Sequence, residues 1–279
     1  MPKAFVNEIN IHYVQSGKGP HLVLIHGIAS NLGLWQLSIL PALAEDFRVT
    51  MYDLRGHGYS DMPPTGYTPD HMVADFGGLA DYLGIERASI LGHSYGGVVA
   101  LYYAVLHPER VDKLIIADTG VPALEPRKGR EAVLLRWREA LRREGLEVPD
   151  EKAEDVVYLM EHTMRSRGRF RRGMGVQRSM ARVTRFFNTT SFSNEYRENP
   201  GLTLEMIRQI QAPALLIYGD RSPMTVSFQA LRENLPNCKT TIIPDGGHLY
   251  PLDQPETFVS HIKGFLQEHS SDLRNPRSP

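Results

Sequence analysis

Cysteine is almost absent from this 279-residue chain: Cys238 stands alone, so no internal disulfide and no multi-cysteine metal site can form. Nothing points to an oxidising compartment, and the expected location is the cytoplasm. Long apolar runs are lacking too. No stretch approaches the ~18 apolar residues of a membrane span, and Met1 to Asn10 hold no apolar core of a secretion signal. A charge of one sign is missing as well, with 31 Lys and Arg against 32 Asp and Glu, so no whole-surface attraction to nucleic acid or anionic membrane is expected. There is no His-Glu-x-x-His, no Gly-x-Gly-x-x-Gly after a strand and no Walker A loop. Metal, dinucleotide and nucleotide are therefore not implied, and no cofactor is expected.

What is present suits a soluble globular chain with a sizeable core, 42% hydrophobic and 23% charged. Short β-like runs at Phe5-Val6 and Ile11 to Val14 suggest an antiparallel hairpin around Asn10. Continuous apolar runs then recur at His21–Ile25, Phe47–Tyr52, Ala88–Leu91, Leu114–Ala117, Ala214–Tyr218 and Thr241–Ile243, as strands buried on both faces do. Helix-compatible segments fall between several of them: Leu37–Ala44, Asp70–Leu83, Tyr95–Leu106 and Phe228–Leu235, with Pro255–Leu266 near the end. This alternation predicts an α/β fold, a mostly parallel doubly wound sheet with helices on both faces. It breaks once, so residues 1–120 and 206–279 are expected to form the core and 121–205 an inserted helical cap. The polar residues 269–279 are expected to be a flexible tail.

The strongest local motif is Gly92-His93-Ser94-Tyr95-Gly96-Gly97, between a strand-like run and a helical segment. Gly-x-Ser-x-Gly at a strand-turn-helix junction places a serine on a sharp turn that needs small neighbours, with a helix amino end beside it. Ser94 is therefore the candidate nucleophile. Leu24-Ile25-His26-Gly27-Ile28 ends an earlier strand, and the Ile28 amide is expected to join that of Tyr95 as an oxyanion hole. His26 is expected to tie that loop together. The base must come from a loop at the same sheet edge, and His248, in Pro244-Asp245-Gly246-Gly247-His248, meets that condition. His57 lies in a tight Arg-Gly-His-Gly turn, and His93 is expected to point away.

His26-Gly27 with Trp35, the run Tyr52 to Asp61, the serine motif, and Gly246-Gly247-His248 before Pro255-Glu256 together resemble the α/β-hydrolase superfamily. The resemblance covers about two-thirds of the chain. It lies nearest the branch of 3-oxoadipate enol-lactonases, carboxylesterases and carbon–carbon bond hydrolases. It implies a serine hydrolase that cleaves a small or medium ester, lactone or thioester through an acyl-enzyme. Two alternatives are carbon–carbon cleavage of a vinylogous diketone and a ligand-sensing receptor on the same fold. Epoxide hydrolases and haloalkane dehalogenases share the fold but carry an aspartate where this chain has Ser94. In relatives the acid usually stands three places after the glycine ending the penultimate strand. Here Gly219 is followed by Asp220, Arg221 and Ser222. Asp118, at the end of Leu114–Ala117, matches relatives that draw the acid from the neighbouring strand. Asp118 is preferred, with Asp220 as the alternative.

Between Pro126 and Arg185 there are sixteen Lys and Arg against nine Asp and Glu, and Arg165 to Arg185 holds eight arginines and no acid. Arginine captures carboxylate and phosphate in bidentate fashion. Such a lid would select an anionic acyl substrate, a coenzyme A thioester or an acidic acyl-carrier protein; the alternative is a solvated helix face. The expected substrate contacts are Trp35, Arg165, Arg169, Arg172 and Phe186. No nucleic-acid or membrane partner is expected, and the oligomeric state is left open.

Overall fold

The structure, a computed structural model, describes residues 1–124, 127–143, 145–155, 157–163, 174–198 and 201–268. The first two strands, β1 (Lys3–Val6) and β2 (Ile9–Ser16), form an antiparallel hairpin. Its turn is Asn7-Glu8, both with positive φ (47° and 65°), not Asn10, which pairs with Phe5 inside the ladder. Two consecutive left-handed residues give the turn a twist that matches its strands.

The apolar runs are strands as expected: β3 (His21–Ile25), β4 (Arg48–Tyr52), β5 (Ala88–His93), β6 (Val111–Ala117), β7 (Ala214–Gly219) and β8 (Cys238–Ile243). The eight-stranded sheet runs β1-β2-β4-β3-β5-β6-β7-β8, parallel from β4 to β8. The helix expected from Leu37 to Ala44 is the shorter α2 (Ile39–Leu43), and a further short helix that was not expected, α1 (Gly33–Gln36), precedes it. The other core helices are α3 (Pro69–Tyr82) and α4 (Tyr95–Leu106), and, after β7, α10 (Thr225–Asn234), α11 (Tyr250–Asp253) and α12 (Pro255–Gln267).

Between β6 and β7 the described residues hold helices and no strand: α5 (Arg127–Arg143), α6 (157–163), α7 (Met174–Thr189), α8 (Phe192–Glu198) and α9 (Leu204–Gln209). Two cores flank the sheet. One packs Val23, Ile25 and Ile90 with α3, α4 and the aromatic side chains of α7 and α8. The other packs Leu22, Leu24 and Leu91 with Trp35 and the apolar face of α12. No helix among the described residues is long and apolar enough to cross a membrane.

Candidate active site

Parallel register brings the site residues to one sheet edge. His93 pairs with Ala117, and just beyond, the Ser94 amide donates to the Ala117 carbonyl (2.9 Å). The Asp118 amide in turn donates to the Ile217 carbonyl (2.9 Å). Ser94 and Asp118 thus sit side by side where β5 and β6 end.

Ser94 adopts φ 55° and ψ −124°, immediately before α4. That turn is possible because its flanks are glycines. A Cβ on Gly92 would collide with the Gly96 carbonyl oxygen, and one on Gly96 with the carbonyl of Ile25. The hydroxyl therefore projects beside the first turn of α4, which carries the positive end of the helix dipole and whose leading amides precede the intrahelical ladder, the Gly97 amide donating to the Ser94 carbonyl (3.0 Å).

The loop after β3 lies against this turn. A Cβ on Gly27 would stand 2.7 Å from Ser94 Cβ and 3.1 Å from Ser94 Oγ, so the close approach of this loop requires glycine. Ile28 follows, and two histidines hold the loop in place. The Leu54 amide donates to His26 Nε2 (3.1 Å), leaving His26 Nδ1–H to donate to the Gly27 carbonyl (2.7 Å). The Ala29 amide donates to His57 Nε2 (2.9 Å), and His57 Nδ1–H donates to the Arg55 carbonyl (2.9 Å). An amide only donates, so both rings are neutral with a bare Nε2. Burial lowers His26 below the usual imidazole value, and burial together with the neighbouring His26 brings His57 down to about 3. Neither ring is placed to take a proton from Ser94. His57 is the support that the sequence reading missed; its only signal there was the glycine-flanked turn.

His248 Nε2 lies 3.1 Å from Ser94 Oγ, and His248 Nδ1 lies 2.6 Å from Asp118 Oδ2. The Asp118 side chain is fully buried, while that of His248 is 21% exposed. The Gly219 amide donates to Asp118 Oδ1 (3.3 Å), and Ser222 Oγ donates to Asp118 Oδ2 (2.6 Å). Asp220 is exposed, with its amide bonded to the Ile243 carbonyl (3.1 Å). The carboxylate that meets His248 is thus that of Asp118. His93 does not point away: its Nε2–H donates to the His248 carbonyl (2.8 Å) and its ring lies 4.9 Å from the His248 ring. It ties the histidine loop to the strand that carries Ser94.

The expected substrate contacts fare differently. Trp35 is fully buried in the core that holds α12, its ring stacked 6.5 Å from that of Phe258 and edge-on, 6.3 Å, to His93. Phe186 is 1% exposed, its ring 4.5 Å from His57 and 5.3 Å from Tyr67, so it joins α7 to the sheet core. Both are core side chains, because a large apolar ring gains most where water is fully excluded. Arg165, Arg169 and Arg172, like the tail 269–279, lie outside the described residues. Of the remaining arginines in the run, Arg178 and Arg185 are exposed, and Arg182 is half-buried and donates to the Ser60 carbonyl. Among the described residues no cluster of His, Cys, Asp and Glu could hold a metal ion.

Residues 20–255 match the family described as alpha/beta hydrolase fold. A soluble epoxide hydrolase of Corynebacterium sp. (strain C12) is 39% identical over 122 residues, 44% of this chain and 42% of that protein. The chain thus matches 42% or less of the length of the first curated relatives. A putative 2-succinyl-6-hydroxy-2,4-cyclohexadiene-1-carboxylate synthase of Bacillus subtilis (strain 168) is 25% identical over 92% of this chain and 95% of its own length. Among solved structures, Est816, described as an N-acyl homoserine lactone degrading enzyme, is 26% identical, with a TM-score of 0.72 and coverage of 95% of this chain and 100% of that one.

Proposed function

The chain belongs to the alpha/beta hydrolase fold family, and from that premise we propose that it is a serine hydrolase cleaving a small or medium carboxylic ester, lactone or thioester. The observation that carries this reading is the unbroken line Ser94 Oγ, His248 Nε2, His248 Nδ1, Asp118 Oδ2. In the reaction, Ser94 Oγ attacks the acyl carbon as His248 Nε2 takes its proton. Asp118 holds the ring in the Nδ1–H tautomer and stabilises the imidazolium. The Ile28 and Tyr95 amides receive the developing oxyanion at the amino end of α4. His248 returns the proton to the leaving group and then activates water against the acyl-enzyme.

The nucleophile also separates this reading from epoxide opening, the activity in the name of the Corynebacterium relative. A serine that opened an epoxide would leave an alkyl ether, which water does not cleave at the same site. An acyl-serine ester is hydrolysed by the line that made it. Likeness to a lactone-degrading enzyme over nearly the whole chain supports acyl chemistry. The helices between β6 and β7 are read as a cap over the site. Their arginine run supports a preference for an anionic acyl group, coenzyme A thioesters included.

The test is reaction with a fluorophosphonate followed by peptide mass mapping. Modification confined to Ser94 is expected, and modification elsewhere overturns the assignment. Alcohol release from a short ester then distinguishes this chemistry from carbon–carbon cleavage of a vinylogous diketone, which releases none.

A further inference from the structure

Ser222 stands three places after Gly219, the position at which the family resemblance implies an acid, and its hydroxyl reaches Asp118. It is 2% exposed, and its Oγ lies 2.6 Å from Asp118 Oδ2, the same oxygen that His248 Nδ1 meets at 2.6 Å. The direction of this bond is fixed. The Met224 amide donates to Ser222 Oγ (3.0 Å), and a carboxylate only accepts, so the single hydroxyl proton goes to Asp118.

The other support of the carboxylate is long, the Gly219 amide at 3.3 Å from Oδ1. Tyr250, also nearby, donates its phenol proton to the Ile217 carbonyl (2.8 Å) and so gives Asp118 no hydrogen bond. Without the hydroxyl, the plane of the Asp118 carboxylate would be set by one long amide contact and by the imidazole that it is meant to orient. We propose that Ser222 is a positioning residue for His248: it acts through Asp118, fixing the carboxylate plane and with it the aim of Nε2 at Ser94. The proposal rests on the assignment of Ser94, His248 and Asp118 made above.

The experiment compares Ser222→Ala, Ser222→Cys and Ser222→Thr with the parent protein. It uses two readouts that need no natural substrate: the rate of fluorophosphonate modification of Ser94 and the low-field proton resonance of His248 Nδ1–H. Loss of one hydrogen bond at the carboxylate is expected to slow modification about 3- to 10-fold in Ser222→Ala. The resonance should move upfield or vanish through exchange. Ser222→Thr, which keeps the hydroxyl, should retain both parental values. Ser222→Cys, with its weak donor, should fall between them, and it carries the test if the alanine variant does not fold. If alanine and cysteine variants react at the parental rate with the resonance in place and lose only thermal stability, Ser222 merely braces the turn before α10 through the Met224 amide and the proposal is overturned. If Asp118→Asn reacts as fast as the parent, the underlying assignment is at fault, an outcome distinguishable from the first.

Discussion

Ser94 and Asp118 both hold left-handed backbone angles, φ 55° and 49°, without being glycine. Such residues cost about 1–3 kcal/mol each and persist where the surroundings over-determine them. Here the ladder bonds beyond β5 and β6 do so. Asp118→Asn is expected to lower kcat by up to roughly 10⁴, because an amide stabilises the wrong tautomer of His248. Asp220→Asn should stay near the parental rate; assays of both on one ester, after circular dichroism confirms folding, check this. The same scale supplies a pH prediction. His57 falls from the ordinary 6.5 to about 3 on folding, so below 6.5 the unfolded chain binds a proton that the folded chain refuses. Stability should therefore be full above pH 6.5 and decline toward about 3, by at most ~1.4 kcal/mol per pH unit for this ring. Thermal melts at pH 7 and 4.5 should show the loss, and His57→Asn should melt lower at pH 7 with a shallower slope. At Cys238, burial pushes the thiol up to about 12, so thiol reagents at pH 8 should modify it only slowly until the chain is unfolded.

At the scale of elements, the strands were legible in the sequence because both sheet faces are covered, and β3 matches its apolar run residue for residue. The turn between β5 and α4 was legible for a different reason: close approach leaves no room for side chains at Gly92 and Gly96. What was not legible depends on distance along the chain. That position 222 lacks an acid can be read directly, but that its hydroxyl meets Asp118, 104 residues away, requires the fold. Trp35 and Phe186 were misplaced because an aromatic residue suits a core and a pocket equally well, and sequence does not say which sheet face it meets. Another long-range tie is Lys113 of β6, whose Nζ donates to the carbonyls of Phe265 (3.1 Å), Leu266 (2.8 Å) and Glu268 (2.7 Å). An ammonium at a helix carboxyl end satisfies orphan carbonyls and complements the dipole. Lys113→Met should cost about 1.5–3 kcal/mol in urea unfolding, with α12 the first element to lose amide-exchange protection.

Across the whole molecule, the helices between β6 and β7 are fastened to the loop after β4 by several independent contacts. Glu195 accepts from the Gly66 amide (3.0 Å), the Tyr67 amide and the Ser191 hydroxyl, while the Ser191 amide donates to the Pro64 carbonyl (2.8 Å). Burial pushes the Glu195 carboxyl up, but the hydrogen bonds from Ser191, Gly66 and Tyr67 outweigh it and hold the group below its ordinary value. Glu195→Gln keeps the shape and weakens the acceptor, a loss of about 1 kcal/mol. Limited proteolysis within residues 121–205 should then run about 5-fold faster, since cleavage follows the open population.

Chain order adds a consequence in time. A ribosome delivers Ser94 and Asp118 first, then the whole helical segment, and His248 only 130 residues after Asp118. Until β7 and β8 join the sheet, the serine has no base, and the aspartate lacks both Ser222 and the imidazole. On the proposed reading, a chain that ends before β7 and β8 cannot complete the line from Ser94 to Asp118, and ester hydrolysis is expected to emerge only once the carboxyl-terminal strands are made.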